Sequence, residues 1–213
     1  MTKPMDEIKD RVATVVVTYN RAEMLRQCLM SLQKQTMPCD ILVVDNASTD
    51  NTQALVQRAA QHDASIFYRN TGENLGGAGG FNFGMRWAVE AGYAFVWVMD
   101  DDCFPEPVAL EKLLDADRLL QGEYGWLSSV ALWTDGRECR MNRPKIKKNF
   151  YDRIELLRDG ILLAEQATFV SLFLKAETIR AVGLPVKEFF IWGDDIEYTR
   201  RITIREKMPC YVV

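Results

Sequence analysis

Residues 12–18 read VATVVVT, an apolar and β-branched run without strict alternation between apolar and polar positions. Such a run is typical of a strand buried on both faces of a parallel sheet. Similar runs at 41–44, 66–68 and 93–99 predict three further strands, separated by stretches with helical periodicity. Strands that alternate with helices at this spacing predict an α/β fold whose mostly parallel, Rossmann-like central sheet carries helices on both faces.

Length and charge narrow the class of protein. A chain of 213 residues with 48% hydrophobic and 26% charged residues predicts a single folded domain. The net charge of -4 offers no broad basic surface, so a nucleic acid is not expected as a partner. His62 is the only histidine, which excludes a histidine-based metal site and a Ser-His-Asp triad.

The cysteines and the N-terminus bear on the compartment. Five cysteines without CxxC spacing indicate reduced thiols and a cytoplasmic protein. Residues 1–11 are charged and lack the apolar core of a signal peptide, and no later run approaches the ~18 residues of a membrane span. We therefore expect no transmembrane segment, and peripheral association with the inner face of the membrane stays open.

Local patterns predict where the helices begin and end. Asn20, with Glu23 three residues later, is typical of a capping box at the start of the first helix. The glycine-rich stretch 72–80 is interpreted as a loop that leads into a helix from Phe81, which Gly92 ends. The alternating strands and helices of residues 11–102 predict a nucleotide-binding half of the domain.

The remaining residues, 103–213, are less regular and predict an acceptor-side half of the same domain. The patterns predict helices at 108–120, 177–182 and 194–207, strands at 126–133 and 168–174, and a charged insertion at 135–164. Residues 209–213 begin another apparent strand where the chain stops, so we expect a longer natural protein.

Three carboxylates, Asp100, Asp101 and Asp102, follow the apolar run FVWVM. Ligands bind at the carboxyl ends of such strands, and Mg²⁺ or Mn²⁺ prefers carboxylate and phosphate oxygens. Alternation along an extended chain points Asp100 and Asp102 to the same side. A solvated turn that caps the helix near 105–107 is the alternative. Asp45 also ends a strand, where it can accept from a base or a ribose hydroxyl.

The segment 74–80, NLGGAGG, leads toward a helix, where glycines let backbone amides approach a diphosphate or a sugar. Asn82 stands where the third glycine of a dinucleotide fingerprint would fall, and a P-loop lysine is missing. A dehydrogenase or a kinase is therefore disfavoured. A flexible loop with a close helix contact remains the alternative.

The segment 189–197, FFIWGDDIE, places Asp194 and Asp195 after aromatic residues at a predicted helix start. Beside an aromatic wall, Asp195 can have a raised pKa and act as general base toward a sugar hydroxyl, while Trp192 offers a face for stacking on a sugar ring. Alternatively, both carboxylates only interact with the helix dipole.

Five segments in this order resemble the family 2 glycosyltransferases with the GT-A fold: VVVTYNR, VVDNASTDNT, NLGGAGGFNFG, MDDD and FIWGDDIEYTRR. The resemblance spans nearly the whole chain and is greatest to the galactofuranosyltransferase and rhamnosyltransferase branch. It implies an inverting transfer from a nucleotide-sugar donor, of the UDP-galactofuranose or dTDP-rhamnose type, to a glycan or lipid-linked glycan in cell-surface polysaccharide synthesis.

The resemblance also implies a role for each matched residue. On the donor side, the nucleoside, the diphosphate and the donor sugar would be held by Thr18, Asn20, Arg21, Asp45, Asn74, Gly76, Gly77, Asp100 and Asp101. Asp100 and Asp102 would bind Mn²⁺ or Mg²⁺, Asp195 would be the base, and Asp194 and Trp192 would hold the acceptor. Related enzymes carry a histidine metal ligand shortly after the strand that begins here near Pro209, and this chain ends at Val213.

Two other functions share parts of this pattern. A sugar nucleotidyltransferase has a Rossmann-like half and a metal, but carries a GxGxR loop after the first strand, where this chain has TYNRAE. A non-catalytic module that binds nucleotide sugars or glycans keeps the nucleotide pocket and needs no base.

Overall fold

The structure is a computed structural model that describes residues 11–213. The expectation about a signal peptide rests on residues that lie almost entirely outside the described ones. The strands of the first half are β1 (Val12–Thr18), β2 (Asp40–Asp45), β3 (Ile66–Asn70) and β4 (Phe95–Asp100). The helices of this half are α1 (Ala22–Leu32), α2 (Thr52–His62) and α3 (Gly76–Glu90).

The second half has more short elements. Its helices are α4 (Ala109–Leu119), α5 (Ala176–Val182) and α6 (Asp194–Arg200). Its strands are β5 (Leu127–Ser128), β6 (Lys145–Ile146), β7 (Leu162–Gln166), β8 (Leu172–Lys175) and β9 (Cys210–Val212). A π-helix, Arg201–Arg205, continues α6, so the long helix predicted at 194–207 changes its winding after Arg200.

Both halves share one sheet, which among the described residues has nine strands in the order β3-β2-β1-β4-β8-β5-β9-β7-β6. The first four strands pair in parallel, while β8 and β7 run opposite to the other seven. The prediction of an α/β fold with a mostly parallel central sheet is therefore confirmed. No helix among residues 11–213 is long and apolar enough to cross a bilayer.

Side-chain alternation along the central strands creates a core on each face of the sheet. Ala13, Val15 and Val17 of β1 pack in the core under α3, with Phe81 and Met85, whereas Val12 and Val16 pack in the core under α1, α2 and α4. All seven residues of β1 are buried, as the unbroken apolar run predicts.

The glycine-rich stretch is the main departure from the predicted elements. We predicted a loop up to Gly80, but α3 already begins at Gly76. The reason is close packing: a Cβ on Gly80 would lie 2.5 Å from Val17, and one on Gly84 would lie 2.3 Å from Val15. These glycines let the helix approach β1, and tertiary contact outweighs their low helix propensity.

The first helix is capped differently from the prediction. Arg21 occupies the N-cap position without a side-chain capping bond, so the predicted capping box of Asn20 and Glu23 is wrong. Asp50, from the loop after β2, instead accepts from the amide of Ala22 at 3.1 Å. The side chain of Asn20 turns to that same loop and accepts from the amide of Thr49 at 2.7 Å.

The predicted strands of the second half are shorter than their patterns. Only Leu127 and Ser128 of the run 126–133 pair in the sheet, and β8 begins at Leu172 rather than at Thr168. The charged insertion, 135–164, contributes β6 and the start of β7 at the sheet edge, together with a 3-10 helix over Phe150–Asp159. The strand predicted at 209–213 is confirmed as β9, which pairs with β5 and β7.

Candidate active site

The acidic triplet, Asp100–Asp102, divides between the two faces of the sheet. Val96 and Val98 pack in the core under α3, and Trp97 and Met99 pack in the core on the opposite face. Because side chains alternate along a strand, Asp100 belongs to the same face of the sheet as Val96 and Val98. Asp101 belongs to the opposite face, with Trp97 and Met99. The strand ends at Asp100, so the alternation that we expected to align Asp102 with Asp100 does not extend that far.

Asp101 and Asp102 form one polar cluster with the end of β1. The hydroxyl of Thr18 donates to Oδ2 of Asp101 at 2.7 Å, and Nη1 of Arg21 donates to Oδ1 of Asp101 at 3.1 Å. The same Nη1 lies 2.9 Å from Oδ2 of Asp102. Asp101 is buried and Asp102 is exposed. Asp101 therefore ties β4 to β1, while Asp102 remains open to solvent.

Asp100 carries the most poorly compensated charge of the triplet. Burial raises the pKa of its carboxyl group to about 7, and the negative charges of Asp102, Asp101 and Asp194 add to this effect. Arg21 opposes the rise, and among the described residues no hydrogen bond to the Asp100 carboxylate lowers its pKa. The negative charge of Asp194, at the start of α6, is thus one of the three carboxylate charges that act on Asp100.

The start of α6 presents a second pair of carboxylates. Gly193 has φ of +92°, a left-handed conformation that favours glycine, and it directly precedes Asp194. Burial, followed by the charge of Asp195, raises the pKa of Asp194 to about 6. Burial also raises the pKa of Asp195, whose Oδ1 accepts from the amide of Ile196 at 2.6 Å. Trp192, 77% exposed, stands just before this pair.

The predicted nucleoside residues lie together at the carboxyl ends of β1 and β2. Asp45 is fully buried, and it accepts from the hydroxyl of Tyr68 at 2.6 Å and from the amide of Ser48 at 2.8 Å. Asn20 binds the loop that follows Asp45. Both side chains therefore shape this end of the sheet, and Arg21 and Thr18 face the acidic triplet beside them.

The first turn of α3 is largely occupied by protein groups. The amide of Gly76 donates to Oδ1 of Asn74 at 2.9 Å, and the amide of Ala78 donates to the carbonyl of Phe190 at 3.0 Å. A Cβ on Gly77 would meet nothing within 4 Å, so the backbone there is open to a ligand. Of the predicted glycines, Gly77 is the accessible one, and Gly76 supports the loop before α6.

Sequence reasoning missed three residues that organise this site. Nδ2 of Asn46 donates to the carbonyl of Gly76 at 2.9 Å, while its Oδ1 is buried without a hydrogen-bond partner. Tyr68 holds Asp45, and Phe190 contacts the first turn of α3. Asn46 directly follows a strand-ending carboxylate, a signal that could have identified it. Tyr68 acts through a contact with the neighbouring strand and Phe190 through a contact with α3, and neither contact leaves a local signal.

The carboxylates suit a divalent cation only in part. Among residues 11–213, no group of three or more His, Cys, Asp or Glu side chains is arranged to hold a metal ion. Mg²⁺ commonly takes one or two carboxylates and completes its shell with water and substrate phosphates. Asp101 is buried and bonded to Thr18 and Arg21, so Asp100 and Asp102 are the two carboxylates of the triplet that such a site would use.

Comparison with known proteins identifies the family. The family model for glycosyl transferase family 2 matches residues 14–120. An undecaprenyl-phosphate mannosyltransferase of Micrococcus luteus is 32% identical over 199 residues, which cover 90% of this chain and 77% of the relative. The galactofuranosyltransferase GlfT1 of Mycolicibacterium smegmatis is 31% identical over 208 residues, which cover 93% of this chain and 67% of the relative.

A solved structure extends the comparison to the fold. The mannosyltransferase PcManGT from Pyrobaculum calidifontis, in complex with GDP-Man and Mn²⁺, superposes with a TM-score of 0.66 at 21% identity. The match covers 96% of this chain and 57% of that protein, so the chain spans little more than half of that structure's length. The predicted GT-A fold is confirmed. The chain belongs to glycosyltransferase family 2.

Proposed function

We propose that this protein transfers a sugar, with inversion, from a nucleoside-diphosphate donor to a hydroxyl of a glycan or lipid-linked glycan in cell-surface polysaccharide synthesis. The observation that carries the proposal is a contact between the two sides of the site: the carbonyl of Phe190, in the loop that leads to Asp194, accepts from the amide of Ala78 in the first turn of α3 at 3.0 Å. This contact joins the segment that leads to Asp194 and Asp195 to the turn that carries Gly76 and Gly77.

The acceptor side performs the proton transfer. The acceptor hydroxyl attacks the anomeric carbon, its proton passes to a carboxylate oxygen of Asp195, and the nucleoside diphosphate leaves from the opposite face of the sugar. Burial raises the pKa of Asp195, which brings the base closer to the pH at which it works. Asp194 and the exposed Trp192 hold the acceptor sugar.

The donor side binds and orients the nucleotide. Thr18, Asn20, Arg21 and Asp45 form the nucleoside end of the site, where polar side chains from two loops meet. Asn74, Gly76 and Gly77 lie along the diphosphate, with Asp100 and Asp101 beside it. Gly77 leaves room for this approach.

A divalent cation, Mn²⁺ or Mg²⁺, would be held by Asp100 and Asp102. When bound, it would neutralise negative charge on the leaving diphosphate. Two relatives bear on the identity of the donor sugar. The M. smegmatis relative is named a galactofuranosyltransferase, and the M. luteus relative is named a mannosyltransferase. We favour a UDP-galactofuranose or dTDP-rhamnose donor and include GDP-mannose in the test.

The test compares the unaltered protein with Asp195→Asn and Asp194→Asn. Release of nucleoside diphosphate is measured with each donor, and nucleotide binding is measured by calorimetry with Mn²⁺. Loss of the general base lowers kcat by about 10²–10⁴-fold, while Asp195→Asn leaves the donor Kd nearly unchanged. Normal turnover by Asp195→Asn would refute the base assignment. Nucleotide binding without any transfer would favour the binding module, and sugar-1-phosphate uridylyl transfer would favour the nucleotidyltransferase.

A further inference from the structure

One surface segment, residues 130–148, has a charge opposite to that of the whole protein. It contains six basic and two acidic residues, a net charge of +4, whereas the full chain carries -4. Two of the basic side chains, Arg137 and Arg140, are 85% and 87% exposed. We refer to this segment as the basic hairpin, and none of its residues belongs to the proposed site.

The basic hairpin also exposes large apolar side chains. Val130, Leu132, Trp133 and Met141 are 54%, 62%, 60% and 78% exposed. Local hydrogen bonds fix the backbone between them: the amide of Trp133 donates to the carbonyl of Arg137 at 2.7 Å, and the amide of Cys139 donates to the carbonyl of Ala131 at 3.0 Å. Apolar and cationic side chains are therefore displayed together on an ordered turn.

The hairpin leaves the sheet at the edge that carries the candidate active site. Leu172 of β8 pairs with Val98 on one side and with Ser128 on the other, so the ends of β4 and β5 lie at the same height. Only β8 separates these two strands. Because neighbouring strands lie ~4.8 Å apart, Val130 leaves the sheet roughly 10 Å from the end of β4.

A cavity of about 210 Å³ adjoins the hairpin. Val130, Pro144, Ile146, Leu162 and Val212 contribute its apolar lining, and Arg143 lines it together with its ion-pair partner Glu138. The basic hairpin therefore also borders an apolar cavity, which adds to the apolar surface on this side of the protein.

We propose that the basic hairpin docks this protein onto an anionic membrane surface, so that a lipid-linked acceptor reaches the proposed site of Asp100 and Asp195. The lipid-linked acceptor in this inference rests on the proposed function, whereas the contact with the membrane rests on the basic hairpin. Exposed Trp and Leu side chains insert at the lipid interface, while Arg and Lys side chains attract anionic headgroups. A purely polar partner would not account for the exposed Leu132, Trp133 and Met141.

Sedimentation with vesicles tests this docking. The vesicles contain about 30% phosphatidylglycerol in phosphatidylcholine, or phosphatidylcholine alone, without nucleotide or acceptor. We expect binding to the anionic vesicles only, weakened by added salt because surface attraction is screened. The double variant Arg137→Gln with Arg140→Gln should lower the partition coefficient about tenfold. Each cation near an anionic surface contributes up to a factor of ~5 to binding. The contribution of Arg137 is smaller than this limit because Arg137 also pairs with Asp135.

Leu132→Ser with Trp133→Ser should lower binding at least as strongly. The matched controls are Arg118→Gln and Leu119→Ser at the end of α4, which runs back to the opposite edge of the sheet; both side chains are exposed. The controls should bind vesicles as the unaltered protein does. Equal losses in the controls, or no vesicle binding at all, would overturn the docking proposal.

The docking proposal and the proposed function can fail independently. Each variant is also tested by calorimetry with UDP and Mn²⁺ and for transfer to a soluble acceptor, neither of which requires a membrane. Unchanged nucleotide binding and transfer together with absent vesicle binding would reject only the docking. Vesicle binding without any transfer would reject the enzymatic function and leave the membrane surface in place.

Discussion

The carbonyl of Phe190 lies directly against Gly76, so closely that a Cβ on Gly76 would be 2.1 Å from its oxygen. The same carbonyl accepts from the amide of Ala78 at 3.0 Å. Phe190 has φ of +64°, a strained conformation for a residue with a side chain. The loop that carries Trp192 and leads to α6 is thus fixed to the first turn of α3, which joins the acceptor side to the donor side.

Gly76→Ala should therefore disturb both stability and catalysis. Gly92 is a matched control, because it also has positive φ, +86° against +71°, but a Cβ there would meet nothing within 4 Å. Alanine in the left-handed region costs about 1–2 kcal/mol at either position, and only Gly76→Ala adds the clash. We expect a larger fall in Tm and a fall in kcat for Gly76→Ala. Equal effects of the two variants would contradict the fixed loop.

Asn46→Asp tests the amide that holds the first turn of α3. The substitution preserves the shape of the side chain but removes the hydrogen bond from Nδ2 to the Gly76 carbonyl. Leaving the carbonyl of Gly76 without this donor costs about 1–3 kcal/mol of stability. The first turn of α3 should then move, so we expect weaker UDP binding. Asn82→Asp removes a similar bond, to the carbonyl of Pro185 at 2.7 Å, and should leave UDP affinity unchanged. Calorimetry distinguishes the two, and an unaltered affinity in Asn46→Asp would count against its role.

Asp100→Asn should stabilise the metal-free protein, although it removes a proposed ligand. The pKa of Asp100 is about 7 in the folded protein and its ordinary value is 3.8, so the unfolded chain ionises first and the folded state loses stability as pH rises between these values. The difference in Tm between variant and parent should be small near pH 4, grow up to pH 7 and stay constant above it. For a protein of this size each kcal/mol corresponds to about 2–4 °C.

Thermal melts from pH 4 to pH 8 in the presence of a chelator measure this difference. Added Mn²⁺ should raise the Tm of the parent and have less effect on Asp100→Asn. A variant that is less stable than its parent at pH 8 would show that the Asp100 charge is compensated.

The pH dependence of transfer should report the raised pKa of Asp195. Asp195 acts as a base only when ionised, so kcat/KM should fall as the pH falls through its pKa. Because burial raises that pKa, the midpoint should lie above the ordinary value of ~3.9 for aspartic acid. Circular dichroism over the same range separates titration from unfolding. A midpoint at or below the ordinary value would argue against Asp195.

Local sequence determined the α/β alternation and most of the site residues. The runs at 12–18 and 41–44 are apolar and β-branched throughout, and β1 and β2 form there, because a strand buried on both faces needs such a composition. Polar residues at the strand ends were predictable for the same reason. Parallel strands end at one edge of the sheet, so Thr18, Asp45 and Asp100 were expected to meet there.

Only the tertiary structure decided how the glycines and carboxylates are used. A run of glycines is locally compatible with a loop or a helix, and packing of Gly80 and Gly84 against β1 selected the helix. Likewise, Asp101 and Asp102 are adjacent in sequence, yet Asp101 is buried and bonded to Thr18 and Arg21, whereas Asp102 is exposed. Pairings between distant segments, such as β9 with β5, have no local signature, because their stability arises only when both segments are in place.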